Sequence, residues 1–335
     1  MRDRIYWLDL LRVLAGFAAV WVHVSAVLVY PSVISRPWWI ANFHVAFTHW
    51  CLPVFIMITG YLLLSKPVED SDTPFTFYKR RFGRLLIPLA FWSVFYLIFR
   101  YYQQGPYTLT FAIERVVTGR PFYHLWYIYM LVGLYLVSPF ISRFLATSSR
   151  RWLEWAIIIS FGMGIFDHLV NGIFNVYNGS FLAMYPSYVG YYLAGYYLAT
   201  REKPLLSLRV SVIGLIGSCF LIAVIDGLLL PTMGDRAWST MFQNLNPLIL
   251  SSAICMFTLV QNLYQKKGSE RAIGQGIVSR LAPLTFGIYL VHAFFLESML
   301  LTPIKALYET TIRGIPILGV SIYALSALTA FIISR

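Results

Sequence analysis

The chain has 335 residues, 59% of them hydrophobic and 12% charged, with a formal net charge of +12. A soluble domain carries roughly 25% charged residues, so this composition excludes a water-soluble fold of the same length. The alternative solvent is lipid, in which runs of ~20 apolar residues close their own backbone hydrogen bonds as helices.

Such runs recur along the whole sequence. The expected fold class is therefore all-α: a polytopic transmembrane helical bundle of about ten helices, one membrane domain over residues 1–335 with no separate soluble domain. The first run, 7–30, is too long for a signal-peptide core and has no small-residue cleavage site after it, so it reads as a mature transmembrane helix. The next runs are 49–64 and 85–102, joined by the basic connector 66–84. After the connector 103–124 come 125–144, 152–170, 184–200, 210–230, 246–263, 284–300 and 315–334. Ten spans bring both termini to one side. On the opposite side fall Arg36, Arg100, Arg115, Arg120, Arg236, Lys305 and Arg313, which leaves 19 of the 26 basic residues with the termini. The positive-inside bias makes that side cytoplasmic.

The basic residues sit in short loops between apolar runs, so the net charge is topological and does not indicate nucleic acid. Cys51, Cys219 and Cys255 are odd in number, lie in or beside apolar runs and lack metal-ligand spacing, which makes them small core residues.

Ionisable side chains inside a span cost on the order of 2.5–3.5 kcal/mol each on insertion scales, so each calls for a reason. The first span carries three: Asp9, Arg12 and His23. Eleven residues separate Arg12 from His23, about three turns with a remainder of only ~20° and an axial rise of ~16 Å. Both therefore share one stripe, with the small residues Gly16 and Ala19 between them. Asp9, one turn before Arg12, is placed to hold the guanidinium. The expectation is an open groove with a cation near its cytoplasmic mouth and an imidazole near mid-membrane.

The segment LDLLRVLAGFAAVWVHVSA, 8–26, resembles the opening helix of the bacterial membrane acyltransferase family 3, with Asp, Arg and His in the same order. CLPVFIMITGYLLL, 51–64, is similar to that family's Pro-Val/Leu-Phe and Ser-Gly-Tyr/Phe segment, with Thr59 in place of Ser. FYKRRFGRLLIP, 77–88, resembles its Arg-x-x-Arg entry to the third helix, through Arg81 and Arg84. FYHLWYIYMLVGLYLVSP, 122–139, and LTFGIYLVH, 284–292, resemble its His-Leu-Trp and Gly-Ile-Tyr-x-x-His segments. Within the family, the sequence is most similar to the short members that acetylate enterobacterial common antigen. Because the chain ends after its last apolar run, no attached esterase-like domain is expected to take a second transfer step.

The resemblance implies an O-acyltransferase of the bacterial inner membrane. Its donor would be acetyl-CoA or another acyl-CoA from the cytoplasm, and its acceptor a hydroxyl of a cell-surface carbohydrate or a lipid-linked precursor. Acyl-CoA is then a substrate, and no permanently bound cofactor is expected. Lys79, Arg80, Arg81 and Arg84 form a cationic cluster suited to the phosphates of CoA, with Arg80/Arg84 at i,i+4 if one helix holds them. The expected catalytic residues are His23 as general base, Arg12 as organiser of donor or oxyanion, and Asp9 as the partner of Arg12. An acyl-His23 intermediate is the competing route. His124, Trp126, Tyr289 and His292 are expected to bind the acceptor. His44, His49 and His168 fall near outer span ends and are not expected to be catalytic. No histidine pair has zinc-type spacing, so no metal is expected. Intramembrane charges also describe a secondary transporter or exporter, the alternative reading, although no inverted repeat is visible.

Overall fold

The structure, a computed structural model, describes residues 6–29, 33–65, 73–174, 185–267, 275–302 and 313–334. Arg2, Arg4, Lys66, Arg271, Lys305 and Arg335, used in the charge count, lie outside the described residues, as does Met184 at the start of one expected span. Among the described residues the regular structure is helical. The helices are α1 (Tyr6–Val29), α2 (Arg36–Ala46), α3 (Cys51–Leu64), α4 (Pro74–Arg81) and α5 (Gly83–Gln104). Then come α6 (Leu109–Val117), α7 (Trp126–Thr147), α8 (Arg150–Phe174), α9 (Val189–Ala199) and α10 (Leu208–Met233). The chain continues with α11 (Arg236–Met241), α12 (Pro247–Lys267), α13 (Gln275–Leu281), α14 (Thr285–Leu300) and α15 (Gly314–Ile333).

Local chemistry sets the helix ends. The side chains of Ser35, Thr73, Thr108 and Ser207 each accept from a backbone N–H of the first turn of α2, α4, α6 and α10, satisfying donors that helix geometry leaves open. Gly105 and Gly234, at φ 89° and 56°, end α5 and α10 in a region that other residues avoid.

The helices divide into two compact units: Met1–Ile58 with Arg201–Arg335, and Thr59–Thr200. In the first unit, contact pairs give the helix directions. Trp39 lies against Gly227, Asn42 donates to the Ala223 carbonyl at 2.9 Å, and Phe43 meets Phe220, so α2 runs opposite to α10. Ser211–Thr258 and Ser218–Ser251 hydrogen bonds of 3.0 and 2.9 Å make α12 opposite to α10. Trp21 against Gly319 and Phe17 against Tyr323 make α15 opposite to α1. The α1–α2 hairpin is closed by Trp21 Nε1 donating to His44 Nδ1 at 3.0 Å. In contrast, α14 runs parallel to α1, because Gly16 faces Thr285 and His23 faces His292, seven residues along each helix.

Nine segments among the described residues are long and apolar enough to span a bilayer, and α9 is too short to count. The directions in the first unit nevertheless require a tenth crossing. The chain leaves along α2–α3 in one direction and re-enters along α10 in the other, which needs an even number of crossings within Thr59–Thr200. Helices α5, α7 and α8 supply three, and α9 supplies the fourth. It runs back along α8, with Tyr197 bonded to Glu154 at 2.8 Å and Gly190 against Phe161.

The second apolar segment is longer than expected: Arg36–Leu64 rather than 49–64. Its polar first half reads as loop in the sequence, yet Asn42 and His44 find partners inside the protein and the segment enters the membrane as α2. His49 consequently lies within this segment, in the turn between α2 and α3, and not at an outer span end. The connectors 66–84 and 103–124 also carry short helices, α4 and α6. In α6, Leu109, Ile113 and Val117 are exposed, the pattern of a helix lying at a membrane surface.

Candidate active site

Helix α1 lacks proline, and its apolar sequence is interrupted by Asp9, Arg12 and His23. Arg12 Nη1 donates to Asp9 Oδ1 at 3.3 Å, with side-chain exposures of 25% and 14%. This is the local pairing that the three-residue spacing requires.

His23 lies six residues from the end of α1, ~9 Å of rise, so it occupies the last third of the helix. The groove expected between it and Arg12 is not open at Gly16. A Cβ there would be 3.3 Å from Thr285 Cγ2 and 3.8 Å from Phe55 Cζ. The missing side chain lets α14 approach α1, which is how small residues act between helices in lipid, where no hydrophobic force drives helices together. Ala19 is buried as well.

That close approach creates the central feature of the first unit. The His23 and His292 rings lie 5.1 Å apart between centroids, tilted by 31°. His292 is wholly buried, whereas His23 retains partial accessibility. His292 Nδ1 is 2.6 Å from the Tyr289 carbonyl oxygen. A carbonyl only accepts, so Nδ1 carries the hydrogen and the neutral ring presents Nε2 as a lone pair. The Tyr289 ring centroid is 5.7 Å from that of His292. Tyr289 and His292, assigned from sequence to acceptor binding, thus stand with the expected base. Nothing in local sequence links positions 23 and 292; the shared seven-residue offset from Gly16 and Thr285 becomes meaningful only once the helices are paired.

The remaining sequence-derived candidates belong to the second unit. Lys79 and Arg80, in the last turn of α4, are exposed, as is Arg84 near the start of α5. Phe82 separates the two helices, so Arg80 and Arg84 do not share one uninterrupted helix as the i,i+4 reading assumes. Arg81 differs from its neighbours: it is partly buried, and its guanidinium lies 4.7 Å from the Phe77 ring centroid. Tyr78 anchors the cluster by donating to the Leu136 carbonyl at 2.6 Å. His124 is 1% exposed within an aromatic enclosure of Tyr96, Phe122 and Tyr123, and Trp126 lies 5.9 Å from Tyr188.

Of the histidines set aside in the sequence, His44 is bonded to Trp21 and His168 is buried on α8. Sequence reading missed Asp226, a carboxylic acid within α10 that is 1% exposed. Its signal was available, since a lone acidic residue inside an apolar run is costly. No group of three or more His, Cys, Asp or Glu among the described residues is arranged to hold a metal ion.

Compared with known proteins, residues 5–335 match the family described as "Acyltransferase domain". No curated protein and no solved structure matches the chain.

Proposed function

This chain belongs to acyltransferase family 3, and from that premise we propose that it is an O-acyltransferase of the bacterial inner membrane. The acyl group, acetyl in the first instance, passes from cytoplasmic acyl-CoA to a hydroxyl of a surface carbohydrate or its lipid-linked precursor. The observation that carries the reading is the imidazole pair: partly accessible His23 beside buried His292, whose tautomer is set by Tyr289.

In the proposed reaction the acceptor hydroxyl oxygen attacks the thioester carbonyl and its proton passes to neutral His23. The carbon–sulfur bond then breaks and CoA leaves as the thiol, taking that proton. Imidazole suits both transfers because its ordinary pKa lies near neutrality. His292 stands beside His23 with a lone pair and orients the ring and the hydroxyl. Arg12 lies ~16 Å along the helix from His23, too far for an arginine side chain to reach an oxyanion at His23. This favours a role for Arg12, held by Asp9, along the donor arm. Lys79, Arg80, Arg81 and Arg84 are assigned to the CoA phosphates, which arginine forks match well. His124 and Trp126 are assigned to the acceptor. The similarity to members acting on enterobacterial common antigen makes that polysaccharide the first acceptor to test.

The test uses purified protein in detergent with labelled acetyl-CoA and the polysaccharide. Labelled ester on the carbohydrate without any sealed compartment supports transfer. Label that moves only across sealed vesicles and never becomes esterified overturns it in favour of transport.

A further inference from the structure

His49 stands outside the machinery described so far, and its surroundings give it a use. It sits in the turn between α2 and α3, which its neighbours hold rigid: Thr48 Oγ1 donates to the His44 carbonyl at 2.6 Å and Trp50 Nε1 to the Phe47 carbonyl at 2.8 Å. The His49 ring is partly accessible. Its Nδ1 is buried and has no hydrogen-bond partner among the described residues. Either nitrogen of a neutral imidazole can be the donor or the acceptor, and leaving Nδ1 buried and unsatisfied is destabilising in both cases. The position therefore calls for a ligand group that can donate or accept.

Aromatic rings flank that atom. Phe242 lies 5.2 Å and Trp238 6.4 Å from the His49 ring, and the two aromatic rings are 4.4 Å from each other. Trp238 keeps an accessible surface while Phe242 is buried behind it. The cluster belongs to the same unit as His23 and His292.

We propose that His49 and Trp238 bind the carbohydrate acceptor: His49 Nδ1 forms a hydrogen bond with one sugar hydroxyl, and the Trp238 ring supports the apolar face of the sugar. This rests on the acyltransferase reading above and assigns the acceptor end of the same site. A hydroxyl is the complementary group because it can donate to Nδ1 or accept from it, whereas an ionised phosphate or carboxylate only accepts.

The test uses the full-length protein with octyl glycosides of glucose, mannose, galactose and N-acetylglucosamine as probes. Binding is read by quenching of tryptophan fluorescence, turnover by labelled acetyl-CoA. His49→Gln moves the polar atoms one carbon away from the Nδ1 position, and His49→Asn retains a polar atom near it. We expect at least one glycoside to quench the parent, with the quench lost in Trp238→Phe. Its affinity and its apparent KM as acceptor should worsen about tenfold or more in His49→Gln and less in His49→Asn, with the acetyl-CoA KM unchanged. Glycoside binding and KM in His49→Gln equal to the parent, or no quenching attributable to Trp238, overturns the proposal. Glycoside binding without acyl transfer by the parent leaves the binding assignment standing and removes the transferase reading instead.

Discussion

Gly60 sits where α3 crosses α9, and replacing it by alanine tests how strictly the unit Thr59–Thr200 is packed. A Cβ at this position would lie 1.9 Å from the Tyr192 carbonyl oxygen, 2.7 Å from its carbonyl carbon and 3.0 Å from its Cα. Real Cβ atoms essentially never come closer than 3.0 Å to a neighbour, so the two helices must separate by more than 1 Å. The obstruction is backbone, which has no rotamer to change. Overpacking a well-filled interior costs typically 1–3 kcal/mol, and an unyielding contact belongs at the upper end, about 3 kcal/mol. On the scaling for domains of 150–250 residues this corresponds to a loss of roughly 6–12 °C in Tm. The displacement also pulls on the bond between Tyr192 Oη and Ser138 Oγ, 2.6 Å long. Gly162→Ala is the matched control, because nothing lies within 4 Å of its added methyl group. There the gain in helix propensity, about 1 kcal/mol, should leave stability equal or higher. The assay is the fraction of protein remaining monodisperse by size-exclusion chromatography after heating in detergent. Equal melting of Gly60→Ala and Gly162→Ala would refute the argument, since both add the same methyl group to a helix.

Other outcomes follow from the site. His23→Ala should lower transfer by about 10²–10⁴-fold, the range for a general base, while insertion and yield stay normal; full turnover in that variant removes the proposed base. His292→Ala should lower kcat and leave the acyl-CoA KM unchanged, and a change confined to acyl-CoA KM would place His292 at the donor instead. The pair Arg81→Ala and Arg84→Ala should raise the acyl-CoA KM about tenfold or more, as expected for lost charge-assisted bonds, with little effect on the acceptor KM; isothermal titration showing parental CoA affinity would reduce the cluster to a topological signal. For the tenth crossing, Glu202→Cys should react with a membrane-impermeant maleimide only from the cytoplasmic side and Asp235→Cys only from the opposite side. The reverse pattern, with Glu202→Cys reached from outside and Asp235→Cys from the cytoplasm, contradicts the assignment of α9.

Hydropathy alone determined the fold class and the positions of most helices, because partition between water and lipid depends on the composition of a segment and not on its neighbours. The Asp9–Arg12 pair was legible for a related reason: residues three apart on a helix meet whatever else the chain does. Helix α2 was not legible, since its asparagine and histidine look like loop until Ala223 and Trp21 satisfy them. Nor was the meeting of His23 with His292, or the seating of Gly60 on the Tyr192 backbone. In a bilayer the lipid is as apolar as the helix faces themselves, so a span's sequence does not announce which face meets another helix. Close packing between small residues decides that, and it brings two histidines from opposite ends of the chain into one site.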